Sequence, residues 1–203
     1  MNEQISKAAE IIIKGGVIVF PTMCLYGLGA DAGNISAVKR IFTIKERPPD
    51  KPVLILISGK DHLKNLVTHV PDKAALLIER FWPGKLTLVF QASDLGGGEL
   101  KDILTAGSGK IGIRLAGHPM TAALVKAVGK PITGTSANIS GEPGCNDPSD
   151  LSRKLIHRVD MLLDGGILIG GAGSTVVDVT GNNPKILREG AVSSEAIFSV
   201  LLH

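Results

Sequence analysis

The sequence predicts an α/β fold: a twisted mixed parallel and antiparallel open sheet with helices packed against it, in a single domain over residues 1–203. Three observations predict it. Short apolar runs that read as strands alternate with segments of helical periodicity. Several strand-like runs, notably Met161–Leu163, Thr175–Val179 and Lys185–Leu187, follow one another closely, so the sheet is mixed rather than all-parallel. No linker or repeat divides the 203 residues, and a content of 44% hydrophobic and 20% charged residues suits a globular chain with a substantial core.

The elements follow in order. Ile5, Ala8, Ile11 and Ile12 lie at helical spacing among Glu3, Lys7, Glu10 and Lys14, an amphipathic first helix rather than a signal peptide. Gly15-Gly16 ends it, and Val17–Phe20 reads as a buried strand. Pro21–Gly29 is expected as a glycine-punctuated loop. Asn34 caps a helix running to about residue 46, on the stripe of Ile35, Val38, Ile41 and Phe42. Val53–Ile57 is a second buried strand, and Asp61 and Asp72 are candidate caps for two helices, the second ending near Arg80. Trp82-Pro83-Gly84 turns into a strand over Leu86–Phe90, and 93–109 reads as an exposed polar connection. Lys110–Arg114 is a strand, Pro119–Val128 a helix with proline in its first turn, and Thr133–Gly141 a second unusual loop after Ile132. Pro148 opens a short helix. The three closely spaced strands come next, and Ser193 caps a closing helix through Leu202.

Several functions are excluded by pattern. No Gly-Lys pair is followed by the Ser or Thr of a phosphate-binding P-loop, and Gly27-x-Gly29-x-x-Ala32 lies too far past the strand end for a dinucleotide fingerprint. His62, His69, His118, His157 and His203 form no paired-ligand spacing, so no metal site is expected. Ser136 sits in Gly-Thr-Ser-Ala-Asn, which is not a nucleophile elbow. No run reaches the roughly 18 apolar residues of a membrane span. Cys24 and Cys145 make neither a disulfide framework nor a CxxC pair, which points to a reducing cytoplasm. Five Phe, one Tyr and one Trp are too few for a base-stacking platform. The 25 glycines exceed the roughly 14 of average usage, as where backbone must approach a ligand closely.

The chemistry is concentrated at Ile44–Pro52. Lys45 falls four residues past Ile41 and seven past Val38, on the buried stripe, where a lysine is costly unless its ammonium meets an anion or reaches water. Arg47 precedes Pro48-Pro49 and is presented from a stiffened turn, with Lys51 close behind. Cations on a rigid corner suit phosphate or carboxylate; a solvated face balanced by Glu46 and Asp50 is the plainer reading. Other polar groups sit at strand ends: Thr22, Arg114, Ser136, Asn138, Ser174 and Arg188. In an open α/β sheet such ends gather on one rim, where ligands bind.

Pro21-Thr22-x-x-x-Tyr26-Gly27-Leu28, Lys45-x-Arg47-Pro48, Ser136-Ala137-Asn138-x-Ser140-Gly141 and Ile186-Leu187-Arg188-x-Gly190, in this order, resemble the YrdC-like threonylcarbamoyl-AMP synthase family in its short, single-domain form. The resemblance implies condensation of L-threonine, bicarbonate and ATP to threonylcarbamoyl-AMP and pyrophosphate, for modification of adenosine 37 in tRNA. It implies a concave basic cavity, ATP as a substrate with Mg2+ and no prosthetic group, and, as partners, downstream threonylcarbamoyl-transferase proteins and a tRNA or RNA contact, with no membrane. It also implies catalytic Lys45 and Arg47, ATP contacts from Arg47, Lys51, Ser136, Asn138, Asn146 and Arg188, and threonine contacts from Thr22, Arg114 and Ser174. Leu56, Met23 and Cys24 depart from the family's threonine pocket, and Lys51 and Lys110 from its usual asparagine and threonine. A net charge of +3 and pI near 8.9 are also those of a module that grips double-stranded or ribosomal RNA without catalysis, the alternative function.

Overall fold

The structure is a computed structural model that describes residues 3–202; Met1 and Asn2 of the expected domain, and His203 of the histidine set, lie outside the described residues. Helix α1 (Glu3–Ile13) buries Ile5, Ala8, Ala9 and Ile12, one stripe at helical spacing. Strand β1 (Ile18–Pro21) is buried along its length and pairs antiparallel with β2 (Tyr26–Gly29). That second strand corrects the expected loop. Its two glycines hide it from propensity, yet a Cβ on Gly29 would stand 2.2 Å from the Thr133 carbonyl oxygen and 2.7 Å from the Phe20 ring, so only glycine lets the strands close.

Helix α2 (Ile35–Lys45) starts where expected, with the Asn34 side chain accepting from the Ala37 N–H at 3.1 Å. Strand β3 (Ile55–Ile57) follows, then a 3-10 turn (Lys60–His62) running into α3 (Leu63–Leu66), and α4 (Asp72–Phe81). Neither aspartate caps. Asp61 lies inside the 3-10 turn behind Gly59, and Asp72 is the first residue of its helix behind Pro71. Strand β4 (Leu86–Gln91) leads to α5 (Gly98–Thr105), a helix inside the span expected as an open connection. Left-handed backbone from Leu95 through Gly98 disguises its start, but Leu104 and Thr105 are buried.

Strand β5 (Lys110–Leu115) and helix α6 (Pro119–Val128) agree with expectation, and the chain then makes β6 (Ile132–Thr133) and β7 (Thr135–Ser136). A 3-10 turn (Pro148–Asp150), α7 (Arg153–Ile156), β8 (Met161–Leu162), β9 (Thr175–Asp178), β10 (Lys185–Arg188) and α8 (Ser194–Leu201), capped by Ser193, complete it. The mixed sheet is present as two: a four-stranded sheet ordered β7-β2-β1-β8 and a six-stranded one ordered β10-β9-β4-β5-β3-β6. Both combine parallel and antiparallel neighbours. The chain passes from the larger to the smaller at Gly134, where a Cβ would lie 2.7 Å from the Leu56 side chain.

One buried charge joins α2 to the smaller sheet. Lys45 is 1% exposed, and its ammonium donates to the Ser136 carbonyl, to the Asn138 carbonyl at 2.7 Å and to Asn138 Oδ1 at 2.9 Å. Three acceptors match the three N–H bonds of an ammonium. The Ser140 N–H donates back to the Lys45 carbonyl at 2.7 Å. Burial, and secondarily the nearby Arg47 charge, pull the Lys45 pKa down to about 7.

Lys45→Met fills the same space without donors and strands these oxygens, so urea unfolding should show a loss of about 2–3 kcal/mol. The unfolded chain keeps the lysine proton up to about 10.5 while the native chain releases it near 7, so the native state holds fewer protons in that window and gains stability as pH rises through it. The stability difference between wild type and Lys45→Met should therefore widen from pH 7 to pH 9.5.

Candidate active site

Alternation along the central strands of the larger sheet sets the floor of the site. Lys85, Thr87 and Val89 share one face of β4 and its approach, Lys110, Gly112 and Arg114 the adjoining face of β5, and Ser174, Val176 and Asp178 that of β9. All nine border a cavity of about 920 Å3, within the size range of small-molecule sites. The opposite wall is the turn Thr22–Leu25 before β2, the elbow after α2, and the segment from β7 to Glu142.

Of the residues expected at the site, Thr22, Arg47, Lys51, Arg114, Ser136, Asn138, Ser174 and Arg188 line this one cavity. Lys45 and Asn146 do not. Lys45 lies beneath the wall, holding Ser136 and Asn138, and Asn146 donates to the Leu168 carbonyl at 3.2 Å, bracing the glycine-rich segment behind the Cys24 turn. Lys85, Thr87 and Lys110 are cavity residues that the motif reading did not place there. The period-two spacing of Lys85, Thr87 and Val89 was the available signal, masked because Leu86–Phe90 reads first as an apolar run.

The elbow owes its shape to Glu46, which closes α2 in the left-handed region at φ 51° and turns its carboxylate outward to Lys154 at 2.6 Å and Arg158 at 3.1 Å. Hydrogen bonds from Lys154 and Arg158 hold that carboxyl below the usual range. Glu46, one of the two acids that the solvated-face reading set against Arg47, is thereby turned away from it, and Asp50 remains as its acidic neighbour. The backbone N–H of Arg47 donates to the Phe42 carbonyl at 2.9 Å and its guanidinium to the Pro52 carbonyl at 2.8 Å, so the group is braced while charge remains for a ligand. Burial lowers its pKa, with Asp50 opposing.

Arg188 donates to the Ser174 carbonyl at 2.7 Å, and the Ser174 hydroxyl meets that of Thr87 at 2.8 Å. Gly190 allows this closure, since a Cβ there would fall 2.3 Å from the Gly173 carbonyl oxygen. Arg114 has no such support: among the described residues no carboxylate forms an ion pair with it. Burial pulls its pKa down to about 10, with Arg188 adding to that and Cys24 opposing it. A half-buried guanidinium with no ion-pair partner among the described residues is a site for a small anion. Six cations border the cavity, Arg47, Lys51, Lys85, Lys110, Arg114 and Arg188, against two carboxylates, Glu142 and Asp178, of which Asp178 is held by Lys110 at 2.8 Å.

Comparison with known proteins gives a consistent result. The sequence model of the Sua5_yciO_yrdC family, described as "Telomere recombination", matches residues 10–190. A threonylcarbamoyl-AMP synthase of Bacillus subtilis is 37% identical over 200 residues, covering 98% of this chain and 57% of that one. A putative threonylcarbamoyl-AMP synthase of Mycobacterium tuberculosis is 39% identical over 197 residues, covering 97% and 88%. The crystal structure of Pyrococcus abyssi Sua5 complexed with L-threonine superposes with a TM-score of 0.91 at 37% identity, covering 97% of this chain and 57% of that one. The chain thus spans a little over half the length of its Bacillus and Pyrococcus relatives. With the matched span reaching from α1 to β10 and the fold shared throughout, this chain belongs to the Sua5/YciO/YrdC family.

Proposed function

We propose that the cavity is the active site of an L-threonylcarbamoyladenylate synthase, and that the chain works as one YrdC-like unit over 1–203. The observation that carries this reading is the presence, in one space, of the unpaired Arg114 guanidinium beside Thr22 and Ser174 together with the cationic group of Arg47, Lys51 and Arg188. The first suits the carboxylate of an amino acid, the second a triphosphate. The names of the relatives, and the threonine held by the Pyrococcus protein, support the same pairing.

In this reading the α-carboxylate of threonine binds Arg114, with Thr22 and Ser174 as neutral partners. Its amine adds to CO2 derived from bicarbonate and loses a proton, and a carbamate oxygen attacks the α-phosphorus of ATP. The bond from the α-phosphorus to the α,β-bridging oxygen breaks and pyrophosphate leaves, giving threonylcarbamoyl-AMP. Arg47 faces the charge that builds on phosphorus and the leaving group, while Lys51, Ser136, Asn138 and Arg188 orient the nucleotide. Lys45 acts one step back, fixing Ser136 and Asn138, and Asn146 braces the segment behind. Mg2+ enters with ATP as part of the substrate, carried by phosphate and water, since Asp178 is already committed to Lys110 and Glu142 is left as a single carboxylate. The product is a labile mixed anhydride, so it passes to threonylcarbamoyl-transferase proteins that modify tRNA; the compartment that keeps Cys24 and Cys145 as free thiols is the cytoplasm. Among the described residues no helix is long and apolar enough to cross a membrane.

Pyrophosphate release from ATP should require both L-threonine and bicarbonate and should stop when EDTA removes magnesium. Release that ignores threonine refutes the assignment, and steeply salt-dependent RNA binding without turnover favours the non-catalytic module. Arg47→Ala should lower kcat about 10²-fold with a smaller change in KM for threonine. Arg114→Gln should instead raise KM for threonine by about 10²-fold and leave KM for ATP within a few-fold.

A further inference from the structure

A second, far smaller cavity adjoins the first, sharing Thr22, Met23 and Arg114 with it and closed off by Leu56, His118 and Thr121. Its volume of about 10 Å3 admits one water or one hydroxyl group. Bicarbonate does not fit. Two of its polar side chains are already engaged: the Thr22 hydroxyl donates to the Leu25 carbonyl at 2.6 Å, and the Thr121 hydroxyl to the Pro21 carbonyl. His118 is different. Its Nδ1 is sealed from solvent and has no hydrogen-bond partner among the described residues, a costly state for a buried polar atom.

The fold holds His118 in that place. Gly117 brings the backbone against the turn after α4, where a Cβ would lie 2.9 Å from the Gly84 Cα. Pro119 then fixes the start of α6, and the His118 carbonyl accepts from the Ala122 N–H at 2.8 Å. Burial lowers the imidazole pKa, so the ring is neutral at physiological pH and offers one donor and one acceptor nitrogen.

We propose that His118 is a specificity-determining residue: with the substrate carboxylate on Arg114, the β-hydroxyl of the amino-acid side chain enters the small cavity and hydrogen-bonds Nδ1, the methyl remaining at its mouth on the side of the larger cavity. This rests on the reading of the large cavity as the amino-acid site. L-valine matches the shape of threonine but leaves Nδ1 unpaired. L-serine makes the bond but leaves the methyl's space empty. The larger penalty falls on valine, because an unsatisfied buried polar atom discriminates more strongly than a missing methyl.

The test is competition of L-valine and L-serine against L-threonine in the pyrophosphate-release assay, at saturating ATP and bicarbonate. In the wild type, valine should bind about 10–100-fold more weakly than threonine. His118→Leu should raise KM for threonine about tenfold or more, bring the threonine-to-valine ratio within a few-fold of unity, and leave KM for ATP within twofold. His118→Asn, which keeps a polar group near Nδ1, should restore much of the preference. Wild-type enzyme that binds valine as well as threonine overturns the proposal without any variant, and would leave the small cavity as a water site. A folded His118→Leu protein with an unchanged ratio, or with equal losses for ATP and threonine, overturns it too. In both cases threonine-dependent turnover by the wild type leaves the synthase reading standing, whereas a wild type indifferent to threonine overturns both.

Discussion

The ammonium of Lys45 is the contact on which the rest of the site depends. Its three acceptors belong to β7 and the residues just beyond, and its own backbone carbonyl receives the Ser140 N–H, so side chain and main chain grip the same segment. Two residues further on stands Arg47. The distance between the cationic elbow and the Ser136–Asn138 wall is therefore set by one desolvated charge that has little freedom to move. Such an arrangement is expensive to bury and rigid once satisfied. A ligand then meets groups already in position, and less of its binding energy is spent on ordering them.

Around that clamp the acidic residues are turned away. Glu46 faces Lys154 and Arg158, Asp160 holds Arg40 at 2.5 Å and the Val17 N–H, and Asp178 holds Lys110. Among the described residues the cations inside the cavity form no ion pair with a carboxylate, apart from Lys110. Field lines from Arg47, Arg114 and Arg188 converge on a space with low-dielectric walls, where an anion is attracted more strongly than at an open surface. The proposed reaction, which would gather a carboxylate and a triphosphate, needs this imbalance more than it needs an acid or a base.

Much of this was legible in the sequence, and the gaps have physical causes. Counting from Val38 and Ile41 placed Lys45 on the buried stripe, but not the partner of its ammonium, because Asn138 lies 93 residues away. Pro119 and Asn34 marked helix starts correctly because each acts within one turn of backbone. Asp61 and Asp72 misled: Gly59 and Pro71 occupy the cap positions, so the acids serve the first turn instead. Strand β2 escaped notice because Gly27 and Gly29 lower its strand propensity, while Tyr26 and Leu28 between them are buried by residues distant in sequence. Short α5 escaped because glycines obscure its start. The strand-end cations and hydroxyls were recognisable one by one; that eight of them border one cavity is a property of register, which only the paired strands fix.

Gly134 joins two functions in a single missing side chain. It carries the chain from one sheet to the other, and the space its Cβ would need is filled by Leu56, which in turn seals the small cavity beside His118. Even alanine at 134 would have to displace Leu56, so a change made at the seam between the sheets would be felt as a change in the bore of a chamber one hydroxyl wide. The seam is thus also a gauge: the spacing of the two sheets and the size of side chain admitted cannot be altered independently.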